Sequence, residues 1–133
     1  MGYYCYITCD TFVFDLLMKK INLGITGCLG RMGQQIIKSV KNDKNFEIVA
    51  LTESKQIKKK ISGIKISKNT VESLKKTNLI IDFTIPKCTL EILKIASKLK
   101  KRVVIGTTGF TKSEENQIQK FSKEIPILKA GNM

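Results

Sequence analysis

Residues 21–33 have the sequence INLGITGCLGRMG, and the rest of the chain can be interpreted outward from them. Residues 21–26 are a short apolar run, which predicts a buried strand, and the glycines that follow predict a tight turn. Apolar residues then recur at positions 32, 36, 37 and 40 with polar residues between them, so we expect an amphipathic helix over residues 32–40. The segment therefore predicts a strand, a glycine turn and a helix in succession.

The same alternation continues through the rest of the chain. Further elements are predicted by the same criteria, with strands at 46–52, 79–84, 103–106 and 127–130 and helices at 90–99 and 113–123. The lysine-rich residues 55–76 predict a loop with a short strand, followed by a short helix over 71–76. Nearly continuous apolar strands that alternate with helices predict an α/β fold with a Rossmann-like, doubly wound parallel sheet.

The glycine loop is the first candidate site, because a doubly wound sheet binds ligands outside the carboxyl ends of its strands. Its residues are Gly27, Cys28, Leu29, Gly30, Arg31, Met32 and Gly33. Glycines allow the backbone to approach a pyrophosphate closely, the helix N-terminus offers N–H groups, and Arg31 would add a cation. The spacing is G-x-x-G-x-x-G rather than the commoner G-x-G-x-x-G. A glycine turn that serves only packing is the alternative interpretation.

Glu53 is the second candidate, at the end of the second predicted strand and 20 residues after Gly33. A carboxylate at that position is suited to hydrogen-bond the ribose hydroxyls of an adenosine, although it could also be an ordinary exposed glutamate. Its charge would repel a 2′-phosphate, so NAD is the preferred cofactor. Lys55 and the run 58–60 would partly neutralise a 2′-phosphate, so NADP is possible.

The third candidate is Gly106-Thr107-Thr108, after the fourth predicted strand, together with the sequence DFTIP at residues 82–86. Backbone amides and threonine hydroxyls there are suited to hold a nicotinamide ribose and carboxamide. Asp82 has two interpretations that the sequence leaves open. It either contacts a ligand or is a structural carboxylate that caps the next loop.

Composition excludes several classes of function. The 133 residues include 24 Lys+Arg, 11 Asp+Glu and no His, so the formal net charge is +13 and this sequence contains no histidine-based nucleophile or metal site. Only Arg31 and Arg102 are arginines, so the charge indicates a solvated lysine surface rather than a nucleic-acid interface.

No apolar run reaches membrane-spanning length. Four cysteines (5, 9, 28 and 88) without zinc-ligand spacing predict a reduced, cytoplasmic chain without a metal.

Residues 1–17 differ in amino-acid composition from the rest of the chain. They are aromatic and apolar, contain no lysine, and lack the basic start of a secretory signal. We therefore expect an atypical N-terminal extension over 1–17, with Met18 as the natural start, and a dinucleotide-binding domain over 18–133. A real additional strand or docking arm is the alternative for the extension.

Four motifs in register resemble the 4-hydroxy-tetrahydrodipicolinate reductase family, formerly called dihydrodipicolinate reductase. These are nicotinamide-dependent enzymes of bacterial lysine (diaminopimelate) biosynthesis. The motifs are Gly27-x-x-Gly30-Arg31-Met32-Gly33, Asp82-Phe83-Thr84-x-Pro86, Gly106-Thr107-Thr108-Gly109-Phe110 and Ala130-Gly131-Asn132-Met133. The resemblance covers residues from about 21 to 133.

The resemblance implies that the glycine loop holds the pyrophosphate and that Glu53 holds the adenosine ribose. It also implies a nicotinamide side lined by Gly106, Thr107, Thr108, Ala130, Gly131, Asn132 and Met133. The implied reaction is hydride transfer to a dicarboxylate, 4-hydroxy-tetrahydrodipicolinate, with a lysine donating a proton to the adjacent carbon and water leaving. In the family, a second domain carries that lysine, the carboxylate-binding loop and the homotetramer interface. We therefore expect only the cofactor-binding half here, with no catalytic residue.

The sequence departs from the family pattern at three positions. Ser54 stands where the family often has an arginine that suits NADP, and Cys28 and Leu29 stand where it usually has more glycine. Two other functions stay open. One is another dehydrogenase with the same cofactor fold, acting on aspartate or homoserine, and the other is a non-catalytic module that binds a nucleotide or coenzyme A.

Overall fold

The computed structural model of the chain describes residues 20–130, which form one seven-stranded sheet with helices on both faces. The strands are β1 (Ile21–Thr26), β2 (Phe46–Glu53), β3 (Lys60–Ile61), β4 (Ile64–Lys68), β5 (Leu79–Asp82), β6 (Arg102–Ile105) and β7 (Ile127–Lys129). Their order across the sheet is β3-β4-β2-β1-β5-β6-β7. All neighbours pair in parallel except β3 and β4, which form an antiparallel hairpin.

Four helices connect the strands, and their ends follow local sequence signals. They are α1 (Arg31–Val40), α2 (Val71–Leu74), α3 (Pro86–Leu99) and α4 (Lys112–Phe121). Proline occupies the first turn of α3, where its missing N–H costs no hydrogen bond. Thr111 and Glu114 form a reciprocal capping box at the start of α4. None of these helices is long and apolar enough to cross a bilayer within residues 20–130.

The core lies in two layers, one on each face of the sheet. One layer joins α1 to β1, β2 and β4 through the buried side chains of Leu23, Ile25, Cys28, Ile37, Leu51 and Ile66. The other joins α2, α3 and α4 to the opposite face, with Leu74, Ile80, Ile92, Leu93, Val103, Ile105 and Ile118 among its buried members. Apolar side chains on both faces explain why the strands are apolar almost throughout. The predicted doubly wound α/β fold is confirmed.

The strand order places a topological switch point between β1 and β5. From β1 the chain builds the sheet in one direction through β2 and β4, and from β5 it builds in the other direction through β6 and β7. The loops after β1 and β5 therefore leave the sheet on opposite sides of a crevice. Such a crevice is where doubly wound sheets bind ligands.

The lysine-rich region differs from its prediction. Residues 55–76 contain two strands, β3 and β4, rather than one, before the short helix α2. Ser62 and Gly63 form the hairpin turn with φ values of 52° and 81°, as a tight two-residue turn requires. Helix α3 also begins at Pro86 rather than at residue 90, and β5 ends at Asp82 rather than at residue 84. The proposed extension, residues 1–17, lies outside the described residues.

Candidate functional site

The glycine loop lies at the carboxyl end of β1 and is folded tightly against its neighbours. Gly27 has φ 69°, and its N–H donates to the carbonyl of Thr52 at 3.0 Å. A β-carbon at Gly27 would lie 2.3 Å from the carbonyl oxygen of Phe83. One added at Gly33 would lie 2.3 Å from the carbonyl oxygen of Gly27. Close backbone contacts therefore require glycine at both positions, whether or not a ligand binds there.

The first turn of α1 presents a positive site to the crevice. Gly30 is the N-cap and supplies no side-chain oxygen, so the first N–H groups of the helix are not capped by it. The first turn contains no acidic residue, and Arg31 and Met32 are exposed. Uncapped N–H groups, the helix dipole and a guanidinium together favour an anion such as a pyrophosphate.

Glu53 lies at the end of β2 and is hydrogen-bonded to the glycine loop. Its Oε1 accepts the backbone N–H of Leu29 at 2.7 Å. The side chain is half-buried, and its second oxygen accepts no hydrogen bond from the described residues. The carboxylate can therefore hold the loop with one oxygen and accept a hydroxyl with the other. The sequence did not indicate the first of these two roles.

Asn69 is a polar residue at the same edge that the sequence analysis missed. It follows β4, and its backbone N–H donates to the carbonyl of Glu53 at 3.1 Å. Neither its side-chain oxygen nor its side-chain nitrogen has a partner among residues 20–130, although both atoms are buried. A buried amide usually finds a partner in water or ligand. Its lysine-rich surroundings gave no signal that would have singled it out.

Cys28 contributes to the glycine loop through its backbone only. Its side chain is fully buried and packs in the core layer under α1. Burial, and secondarily the charge of Glu53, raise the pKa of the Cys28 thiol to about 11. The thiol therefore stays protonated at neutral pH and is a poor nucleophile.

We expect Cys28 to resist alkylation in the folded chain. With iodoacetamide at pH 8, peptide mapping should find Cys88, which is partly exposed, modified well before Cys28. In denaturant the two should react alike. Rapid modification of Cys28 in the folded chain would show that the loop opens or that the thiol is not buried.

Asp82 is a buried acceptor for hydroxyls from four segments. Its carboxylate accepts the hydroxyls of Thr26 at 2.7 Å, Thr84 at 2.8 Å, Thr89 at 2.5 Å and Thr107 at 3.1 Å. The side chain is fully buried. These bonds join β1, the loop after β5, α3 and the loop after β6. Of the two interpretations left open by the sequence, the structural one is confirmed.

Hydrogen bonds join the loop after β6 to the loop after β5. The N–H of Thr84 donates to Thr107 Oγ1 at 2.9 Å, and that hydroxyl donates onward to Asp82. A β-carbon at Gly106 would lie 2.0 Å from the ring of Phe83. Because the Thr107 hydroxyl is engaged in this way, a contact of Thr107 with a ligand would use its backbone. Thr108 is exposed.

The structure therefore brings most of the candidate residues to one edge of the sheet. The glycine loop and Glu53 are joined by a hydrogen bond, and Gly106 and Thr107 are joined to the crevice through Asp82. Ala130 follows β7, with its N–H on the carbonyl of Ile105 at 2.9 Å. Gly131, Asn132 and Met133 lie outside the described residues. Within residues 20–130 no three His, Cys, Asp or Glu side chains cluster in a way that would hold a metal ion.

The sequence from residue 21 to residue 133 matches a known family. The family model described as dihydrodipicolinate reductase, N-terminus, matches residues 21–133. The chain belongs to this family. It is 73% identical over 116 residues to the 4-hydroxy-tetrahydrodipicolinate reductase of Pelagibacter ubique, covering 87% of this chain and 45% of that protein. It is 36% identical over 128 residues to the enzyme of the same name from Buchnera aphidicola, covering 86% and 47%.

Solved structures agree with this assignment. A dipicolinate-bound dihydrodipicolinate reductase from Paenisporosarcina superposes with a TM-score of 0.63 at 29% identity, covering 77% of this chain and 43% of that one. A homoserine dehydrogenase from S. aureus superposes with a TM-score of 0.70 at 18% identity, covering 86% and 34%, and shows the shared fold alone. The chain thus spans about half the length of the dihydrodipicolinate reductases that it matches.

Proposed function

We propose that this chain is the dinucleotide-binding half of an NAD(P)H-dependent reductase. The reaction is reduction of 4-hydroxy-tetrahydrodipicolinate to tetrahydrodipicolinate in lysine biosynthesis. The observation that carries the proposal is the hydrogen bond between Glu53 and Leu29, which places a carboxylate beside the uncapped N-terminus of α1. An acceptor for ribose hydroxyls and a donor site for pyrophosphate then lie side by side, as an adenosine diphosphate requires.

The residues at the crevice fit a dinucleotide. The first turn of α1 and Arg31 would bind the pyrophosphate, and the free oxygen of Glu53 would accept a hydroxyl of the adenosine ribose. The unpartnered amide of Asn69 lies next to Glu53, where an adenosine would supply polar partners. Gly106, Thr107, Thr108 and residues 130–133 would line the nicotinamide side. The nicotinamide would supply the hydride, and these residues would orient it.

The other steps of the reaction, and the assembly of the enzyme, are proposed from the resemblance to the family. Proton donation to the substrate ring, recognition of its two carboxylates and assembly into a homotetramer are assigned to a second domain of the family. We place the activity in the cytoplasm, because the two cysteines described here are free thiols. NAD is the preferred cofactor, because the Glu53 carboxylate repels a 2′-phosphate.

Titration of NADH fluorescence with the full chain tests the proposal directly. We expect NADH to bind, and Glu53→Gln to weaken NADH binding by about tenfold because an ionic hydrogen bond to the ribose is lost. Glutamine keeps an oxygen for the N–H of Leu29, so the loop should persist. NADPH binding should weaken less or improve, because the repulsion of its 2′-phosphate disappears.

Glu47→Gln is the matched control, since Glu47 is exposed at the other end of the same strand. It should leave the affinities for both dinucleotides unchanged. A folded chain that binds neither dinucleotide would contradict the proposal. So would tighter binding of coenzyme A than of NADH, with no effect of Glu53→Gln on either.

A further inference from the structure

A second candidate site lies on the outer side of α1. A cleft of about 380 Å³ separates this helix from the β3–β4 hairpin, and we call it the lysine cleft. Helix α1 contributes Gln34, Ile37 and Lys38, and its C-cap Lys41 continues the same stripe. Its volume is within the lower part of the range of small-molecule sites, which starts at roughly 300 Å³.

The opposite wall is formed by the hairpin and carries the same sign of charge. Lys59 and Lys60 face the cleft there, so four lysines and no acidic residue line it. Among residues 20–130 none of these four lysines forms an ion pair with a carboxylate. Like charges gathered around one concave surface repel each other, and a bound anion would remove that repulsion.

Three of the lining residues give the cleft an apolar floor. Leu29, Ile37 and Ile61 are at least partly buried and belong to the core layer beneath it. The Ser62 hydroxyl stands at the hairpin turn. An apolar floor beneath cationic walls suits a ligand that has an apolar portion and at least two adjacent anionic groups.

We propose that the lysine cleft binds a small molecule with clustered phosphate groups. Lys41 and Lys60 lie on opposite walls of the cleft, so both would contact the phosphates, and the apolar floor would contact the rest of the ligand. The cleft shares Leu29 with the glycine loop, but its four lysines are not among the residues proposed to bind NADH, and the inference does not depend on dinucleotide binding.

Inorganic tripolyphosphate is the probe, titrated into the isotopically labelled full chain at low ionic strength with amide shifts observed by NMR. We expect the largest shifts in the second half of α1 and in the hairpin. The variant Lys41→Gln/Lys60→Gln should weaken binding by about tenfold or more, because two charge-assisted contacts are lost. Glutamine keeps most of the apolar stem, and a thermal melt verifies that the variant is folded.

Lys94→Gln/Lys98→Gln is the matched control, because it removes the same charge from exposed positions of α3. It should weaken tripolyphosphate binding by less than about twofold. Equal weakening by the two double variants would overturn the proposal, because binding would then be diffuse attraction to a basic chain. Shifts confined to the glycine loop would also overturn it.

A parallel titration separates this inference from the proposed function. Glu53→Gln should change NADH affinity and leave tripolyphosphate affinity in the cleft unaltered, while the cleft variant should do the reverse. Full displacement of tripolyphosphate by NADH would show that the cleft belongs to the dinucleotide site, and would overturn its assignment as a separate site. A chain that fails to bind NADH but binds tripolyphosphate in the cleft would contradict only the proposed function.

Discussion

Replacement of Asp82 by alanine is expected to lower the free energy of unfolding by about 3 kcal/mol or more. The reason is that four hydroxyls lose a shared ionic acceptor, and three of their residues, Thr26, Thr89 and Thr107, are almost fully buried. A buried hydroxyl without a partner retains the full cost of its desolvation. Urea unfolding followed by circular dichroism measures the change.

Asp43→Ala provides the comparison for Asp82→Ala. Asp43 also accepts a hydrogen bond, from the N–H of Asn45 at 2.8 Å, but it is only half-buried and lies in a turn after α1. That substitution should cost about 1 kcal/mol or less. Similar losses in the two variants would show that the hydroxyls around Asp82 find other acceptors. The Thr26 hydroxyl, which is 3.3 Å from the carbonyl oxygen of Ile81, would be the first to do so.

Dinucleotide binding should also respond to loss of the Asp82 carboxylate. The hydroxyl bonds to Asp82 connect the loop after β5 to the loop after β6, and both loops border the crevice. We expect Asp82→Asn, which preserves the shape of the side chain, to weaken NADH binding while the chain remains folded. Fluorescence titration at a temperature well below the unfolding midpoint separates this effect from loss of the folded state.

The sequence allowed the fold to be predicted because its signals were local and repeated. Apolar runs alternated with helical periodicity, and the glycine turn after β1 and Glu53 at the end of β2 were predicted at the same edge of the sheet, where the structure joins them by a hydrogen bond. The hairpin at β3 and β4 was predicted less well, because its lysines alternate with isoleucines over only a few residues. A strand of two residues, Lys60–Ile61, exists only because it pairs with β4, which local propensity cannot show.

The interactions within the site were harder to predict, because they join residues far apart in the chain. The bond from Leu29 to Glu53 crosses 24 positions, and the bond from Thr107 to Asp82 crosses 25. Residue type indicated that Glu53 and Asp82 were polar groups at strand ends. Whether each would point to a ligand or to its neighbours depended on the packing of loops against each other. That packing is a tertiary property, and for Asp82 it favours neighbouring hydroxyls.

Gly27→Ala is expected to be the most damaging single substitution in the glycine loop. The position has φ 69°, and a β-carbon there would lie 2.3 Å from the carbonyl oxygen of Phe83 and 2.9 Å from the side chain of Thr84. A left-handed conformation alone costs alanine roughly 1–2 kcal/mol. The backbone clash adds to this cost, since the loop after β5 must move away. We expect a total loss of about 3 kcal/mol or more in urea unfolding.

Gly63→Ala separates the cost of the left-handed conformation from the cost of the backbone clash. Gly63 also has a positive φ, 81°, but a β-carbon there would have no neighbour within 4 Å. Its substitution should therefore show only the conformational cost, about 1 kcal/mol, and leave NADH binding unaltered. The difference between the two variants measures the close approach of the loops after β1 and β5. If Gly27→Ala lost no more stability than Gly63→Ala, the two loops would not be packed together at the switch point, and the crevice would lack the rigid wall that orients a dinucleotide.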